Sequence, residues 1–351
     1  MTPIPIFDGH NDTLTDIFLP EKGHGRSFLA ESEYGHVDLP RARRGGLVGG
    51  LCAIFVPPPF RATPPPPGEP FELPMSPALE GWSHAFEFVT AVAALLFRIE
   101  EQSQGSVVVA RTVDDIHRAR RGSGFAAVLH IEGAEAIDPD FNTLYLLYQA
   151  GLRSVGPVWS RPNAFGHGVP FKYPSSPDTG PGLTAKGRDL VRICNRLGIV
   201  LDLAHLNERG FWDVAEETSG PMVVSHACAN ALCPTARNVT DAQIDAIGES
   251  KGILGINFHV GDLQPGAWGD PTVPVEAIVD HAVHVADRIG IEHVGFGSDF
   301  DGAMIPQGLK DAAGLPRLIE AFGTRGFSTD DVRMMAYDNW MRVLGDTWRD
   351  T

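Results

Sequence analysis

Thirteen histidines in 351 residues make it worth asking where they fall. Five short segments place metal-binding side chains at the ends of apolar runs: His10 and Asp12 in DGHND, Glu132 in HIEG, His205 in LDLAH, His226 in VVSHA, and Asp299 in GSDFDG. Side chains alternate along a strand, so His10 and Asp12 face the same way. His205 and His226 are separated by about one strand–helix–strand step. Singly, each has an ordinary structural explanation, such as a core histidine bonded to a carbonyl or a carboxylate in an internal ion pair. Together, three imidazoles and two carboxylates are the nitrogen and oxygen donors that Zn²⁺ takes. Five ligands exceed the needs of one catalytic zinc with an open position, whereas two Zn²⁺ per chain sharing Glu132 would use all five. Their excess positive charge would lower a water pKa toward neutrality and hold a bridging hydroxide. The chemistry expected is hydrolysis.

Asp299 ends the last apolar run among glycines that let the backbone approach closely. It is assigned the acid/base role, deprotonating the attacking water and passing the proton to a leaving nitrogen. Asp301 reads as the turn residue of the same cluster. Arg237 lies just before Thr240 and Gln243, a T-x-x-Q capping box that starts a helix. A guanidinium in such a loop can hold a substrate carboxylate through two parallel hydrogen bonds; a solvated loop arginine is the plain alternative.

These residues need elements to position them. Eight runs rich in Val, Ile and Leu recur: Ile4–Phe7, Val48–Val56, Phe125–Ile131, Leu152–Val158, Ile199–Leu203, Met222–Val224, Gly252–Phe258 and His293–Phe296. Amphipathic stretches lie between most of them, among them Leu79–Gln104, Leu183–Leu197 and Val275–Ile289. Continuous apolar strands alternating with helices predict a parallel sheet covered by helices, and eight such units predict an α/β fold, a (β/α)₈ TIM barrel, closed by a helix over Thr329–Leu344. A doubly wound sheet would carry a glycine-rich phosphate loop after its first strand, and DGHND is not one. Two long loops, 57–77 and 161–181, follow strands 2 and 4 and so fall on the face where barrel active sites are built. One domain over 1–351 is expected.

Carboxylates outnumber Lys and Arg by 44 to 28, a formal charge of −16, which argues against nucleic-acid binding. No apolar stretch of membrane-spanning composition is expected, nor is a targeting segment in MTPIPIFDGHND. Four cysteines without a CxxC pair do not build a disulfide scaffold. A cytoplasmic protein with no membrane or nucleic-acid partner is the expectation.

The motifs DGHND, IEG, DLAH, VVSHA followed by ARN, and GSDFDG occur in the order found in the membrane (renal) dipeptidase family, and the sequence resembles that family along essentially its whole length. YDNWMRVL resembles its closing helix, with Asp338 in place of a glycine. The resemblance implies a metal-dependent-hydrolase barrel with His10 and Asp12 on one zinc, His205 and His226 on the other, and Glu132 between them. It also implies Asp299 as acid/base, Arg237 on the substrate's terminal carboxylate, dipeptides (including those with a C-terminal D-residue) as substrates, and a homodimer.

Two departures stand out. The family's strand-4 motif ends in a histidine that contacts the substrate carbonyl, but here Arg153-Ser-Val-Gly-Pro-Val-Trp159 ends in an indole, which donates one N–H and never carries charge. On strand 7, His259 follows Asn-Phe where the family has tyrosine. His167 or His259 is expected to supply the missing contact, with Trp159 reshaping the substrate pocket. Hydrolysis of another amide at the same metals is therefore the alternative to dipeptides, and a catalytically silent metal-binding homologue is the remaining one.

Overall fold

The structure is a computed structural model that describes residues 4–58 and 66–349. The barrel strands are β1 (Ile6–Asn11), β2 (Leu47–Phe55), β3 (Phe125–Glu132), β4 (Leu152–Gly156), β5 (Val200–Leu201), β6 (Val223–Ala227), β7 (Ile253–Asn257) and β8 (Val294–Gly297). All pair in parallel in the circular order expected of a TIM barrel, β5-β4-β3-β2-β1-β8-β7-β6. The last gap, between β5 and β6, is joined by a bridge from Asp202 to Val223. Helices cover the outer face, so the strands are buried on both sides and read as unbroken apolar runs.

Some polar residues inside these strands tie neighbouring segments together. Asp8 of β1 accepts from both the backbone N–H and the hydroxyl of Ser298 at 2.7 Å, tying β1 to the segment after β8. Burial pushes the Asp8 carboxyl up to about 6 despite those bonds.

Several boundaries differ from the sequence reading. β1 runs on to Asn11 and β6 to Ala227, so His10 and His226 sit within strands rather than beyond their ends. His205 lies beyond its strand, as the run Ile199–Leu203 implies, in a turn with φ +66°. The closing helix over Thr329–Leu344 is three pieces: an α-helix over Thr329–Arg333, a π-helical turn over Met334–Asp338, and an α-helix over Asn339–Thr347. The wider turn resets the buried face, bringing Tyr337 and Trp340 together under the barrel floor. There Trp340 Nε1 donates to the Phe296 carbonyl at 3.1 Å.

The two long loops meet. Phe71–Glu72 pairs antiparallel with Lys172–Tyr173, and Lys172 Nζ reaches Glu72 Oε2 at 2.8 Å; residues 59–65 of the first loop lie outside the described residues. The amphipathic stretch Leu79–Gln104 forms a helix as expected, but its composition departs from the expectation that no stretch could span a membrane. Trp82–Gln102 is 21 residues long with a window of mean hydropathy 1.2, enough by length and composition to cross a membrane. Its stripe of Ala85, Val89, Val92, Ala93, Leu96 and Ile99 belongs to the buried core.

Candidate active site

At the C-terminal mouth of the barrel, three imidazoles point at one oxygen. Glu132, ending β3, has Oε1 at 2.9 Å from His205 Nε2, 3.5 Å from His226 Nε2 and 3.7 Å from His10 Nε2. His10 Nε2 also lies 3.5 Å from Asp12 Oδ2. Asp12 follows β1 as the N-cap of a short helix, which turns its carboxylate to the same side as His10. All five side chains singled out in the sequence therefore converge. Gly302 allows this on the Asp12 side: a Cβ there would collide with the Asp12 and Asp299 carboxylates.

The imidazoles are held from behind. His226 Nδ1 lies 2.8 Å from Ser225 Oγ, and that hydroxyl lies 2.5 Å from Asp202 Oδ2. Asp202 Oδ1 accepts from the Ser225 and Ala204 backbone N–H groups at 2.8 and 3.0 Å. An ionised carboxylate only accepts, so the Ser225 hydrogen goes to Asp202 and Oγ accepts the Nδ1–H of His226. That leaves the Nε2 lone pair facing the mouth. His205 Nδ1 is likewise tied to Ser160 Oγ at 2.8 Å.

Whether a metal fits can be asked of the geometry itself. Nε2 of His205 and Nε2 of His226 are 3.3 Å apart, and two nitrogens each about 2.1 Å from a tetrahedral zinc lie roughly 3.4 Å apart. His10 Nδ1 and Nε2 and Asp12 Oδ1 are buried without a hydrogen-bond partner, which is rare for polar atoms without a ligand or water. Three groups that share His10, namely His10–Glu132–His226, His10–Asp12–Asp299 and His10–His130–Asp202, each bring their donor atoms within 4.8 Å of one another.

The electrostatics agree. Burial and the facing Asp12 and Asp299 carboxylates hold Glu132 well above its ordinary range, against the pull of His10. Burial would lower His10, but Glu132 and Asp12 push it up to about 10. Burial, reinforced by the positive charges of Arg237 and His10, keeps His205 and His226 well below the ordinary imidazole value, hence neutral. Carboxylates that demand positive charge beside neutral imidazoles form a cation site.

The other sequence candidates divide. Asp299, with φ +58°, donates its backbone N–H to the His10 carbonyl at 3.0 Å and receives Asn257 Nδ2 at 3.2 Å. Burial raises its pKa, opposed by His10 and reinforced by Asp12. Arg237 is buried at the cavity wall with Nη2 3.2 Å from the His226 carbonyl. Its neighbour Thr240 forms the expected capping box with Gln243. His259 lines the cavity with Nδ1 at 3.3 Å from Asp262, and Trp159 lines it too. His167 does not: its Nδ1 faces the Gly182 carbonyl at 3.3 Å, outside the lining. Asp301 is the turn residue of its cluster, with φ +68°, but a buried one that accepts from Arg26 and Thr13 at 2.9 and 2.8 Å.

The cavity measures about 310 Å³ and is also lined by Lys22, Phe55, Phe171, Asp262, Trp268 and Met304, none of which the sequence reading chose. Nothing local marks these residues, which come from a strand end, two short helices and three loop positions. Asp202 did carry a signal, as a carboxylate within an apolar run that must find a partner when buried.

The profile described as Membrane dipeptidase (Peptidase family M19) matches residues 1–349. A metallo peptidase from Rhodobacter sphaeroides, solved with a phosphinate mimic of the dipeptide L-Ala-D-Ala, is 42% identical with a TM-score of 0.94, covering 99% of this chain and 100% of that one. The crystal structure of a dipeptidase of family M19 is 43% identical with a TM-score of 0.93, covering 99% of each chain. "Dipeptidase tcpJ" of Claviceps purpurea is 31% identical over 344 residues, 96% of this chain and 76% of the relative.

Proposed function

The chain belongs to the membrane dipeptidase family, peptidase family M19, a family of metallo-dipeptidases, and we propose that it hydrolyses dipeptides, including those ending in a D-residue, with two Zn²⁺ held by His10, Asp12, Glu132, His205 and His226. The observation that carries this reading is the meeting of three Nε2 atoms on Glu132 Oε1 at the floor of a cavity that also holds Arg237 and Asp299. The D-residue rests on the L-Ala-D-Ala mimic bound by the Rhodobacter relative.

Bound there, two divalent cations would polarise the amide carbonyl and bring the attacking water's pKa toward neutrality. The chain's own residues do the rest. Asp299, raised by burial and steadied by Asn257, takes the proton of the attacking water and returns it to the leaving nitrogen. Arg237 holds the substrate's terminal carboxylate and so sets which amide lies over Glu132. Trp159 stands where the family's histidine would touch the carbonyl, and with Phe171 it keeps bulk water from that wall.

Trp159 also keeps the second reading alive. A neutral one-donor indole on the carbonyl side suits an amide other than a dipeptide's, at the same metals. The test is a steady-state screen of zinc-loaded protein on L-L dipeptides, L-D dipeptides and N-acyl amino acids, with Asp299→Asn as control. The proposal expects dipeptide cleavage that falls about 10²–10⁴-fold in the control. Cleavage of N-acyl amino acids alone would transfer the assignment to the second reading, and no turnover by metal-loaded protein would leave the silent homologue.

A further inference from the structure

One side of the cavity is a continuous run of aromatic rings. Phe55, after which β2 ends, lies 4.6 Å from Trp159 between ring centroids; Trp159 lies 5.6 Å from Phe171, and Phe171 5.3 Å from Trp268. The run begins beside one proposed metal ligand, with Trp159 5.9 Å from His205. It ends 4.6 Å from His259, beyond β7. All four rings are half-buried, unlike Phe258, Phe296 and Phe300, which fill the core completely.

These rings are fixed in place rather than loosely gathered. The Arg161 guanidinium lies 5.5 Å from the Trp159 ring and 5.7 Å from Phe55, fully buried and tied to Glu135 at 2.7 Å and to the Val56 carbonyl at 2.9 Å. Phe71, on the strand that joins the two long loops, packs on Trp268 at 5.1 Å. The indole N–H groups of Trp340 and Trp348 donate to carbonyls, whereas those of Trp159 and Trp268 have no bond to the described residues. A rigid, half-exposed apolar wall at a catalytic cavity is suited to a ligand.

Its position identifies the part of the substrate it meets. Arg237 comes from the loop after β6, between Phe171 and His205 on the β5 side and Trp268 and His259 on the β7 side. Arg237 lines the same cavity as Phe171 and Trp268, so a residue whose carboxylate Arg237 holds has its side chain within reach of those two rings, which touch each other at 5.3 Å and present one continuous face. Resting on the dipeptidase reading, we propose that Trp159, Phe171 and Trp268 form a specificity wall for a bulky apolar side chain on the carboxyl-terminal residue of the substrate. The competing group is Lys22, which also lines the cavity and has no ion pair among the described residues; it would favour an acidic side chain.

The test is kcat/KM of zinc-loaded protein on Gly-Ala, Gly-Leu, Gly-Phe and Gly-Glu, each with the second residue in both configurations, alongside Ala-Gly and Phe-Gly. Gly-Leu and Gly-Phe should exceed Gly-Ala by about tenfold or more, since even one buried methylene discriminates by 10–200-fold, while Phe-Gly and Ala-Gly should stay within about threefold of each other. Trp268→Ala and Phe171→Leu should bring the Gly-Phe to Gly-Ala ratio toward unity. A ratio is independent of how much of a variant folds, so a poorly expressed variant still reports. A flat wild-type ratio, an unchanged ratio in both variants, or a preference for Gly-Glu would overturn the proposal. If no dipeptide is cleaved, the dipeptidase reading fails and the wall is judged separately by calorimetric binding of the same peptides. Gly-Phe binding tenfold tighter than Gly-Ala would then uphold it, and equal binding would overturn it.

Discussion

His226 Nδ1 and Asp202 Oδ2 share a single hydroxyl, Ser225 Oγ, at 2.8 and 2.5 Å. The carboxylate can only accept, so this short relay fixes the tautomer that leaves Nε2 free toward Glu132. Partners of this kind commonly change metal affinity 10–100-fold when removed. Asp202→Asn should therefore weaken zinc binding by about that factor in a chelator competition, while circular dichroism shows the barrel intact. An unchanged affinity would mean that the relay does not orient the ligand.

Arg237 is expected to read a charge. Its replacement by Ala should lower kcat/KM for a free dipeptide by about 10²-fold, the loss of one charged hydrogen-bonded pair. The same substitution should barely affect the corresponding dipeptide amide, which has no carboxylate to lose. Equal losses on both peptides would assign Arg237 a structural role at the His226 carbonyl instead.

Gly302 tests the packing around the proposed acid/base residue. Any Cβ at this position collides with the carboxylates of both Asp12 and Asp299. Gly302→Ala should cut kcat by about 10²-fold, as a misplacement of about 1 Å can, with a melting temperature close to wild type. A fully active Gly302→Ala protein would show that neither carboxylate needs its present position.

Metal-free protein should lose stability as pH rises from 7 to 9.5. His10 is raised to about 10, so its stabilising proton is fully present below the unfolded value near 6.5 and is lost as pH climbs toward the folded value. Glu132, raised well above its ordinary range, acts with the same sign, and so do the buried thiols Cys52 and Cys194. His130, lowered to about 4 by burial, and the depressed His205 and His226 are already neutral in this window. Thermal melts of chelator-treated protein should fall across it, and zinc should flatten the curve by supplying the charge the carboxylates require. A metal-free melt that rises with pH would contradict this account of the cluster.

Much of the site is legible in the sequence. Metal ligands must be polar side chains at the mouth of an apolar barrel, so His10, Glu132 and His226 stood out against the strands that carry them. Their exact settings were less legible: β1 and β6 extend through His10 and His226 because neighbouring strands continue to pair there. The π-helical turn at Met334–Asp338 was hidden because a helical apolar period cannot show one wider turn. The aromatic wall was hidden for another reason. Phe55 ends β2, Trp159 and Phe171 come from the segment after β4, and Trp268 from the segment after β7, and only the closed barrel and the pairing of Phe71–Glu72 with Lys172–Tyr173 bring them together. His167 illustrates the converse, since proximity in sequence to Trp159 did not bring it into the cavity.

The central claim is that five side chains hold two catalytic metals about Glu132. Its most direct test is to titrate metal-free protein with zinc while following hydrolysis of an L-Ala-D-Ala or L-Ala-L-Ala substrate. Activity should rise from zero and level off at two zinc equivalents per chain. A plateau at one equivalent, or turnover undiminished in metal-free protein, would contradict it.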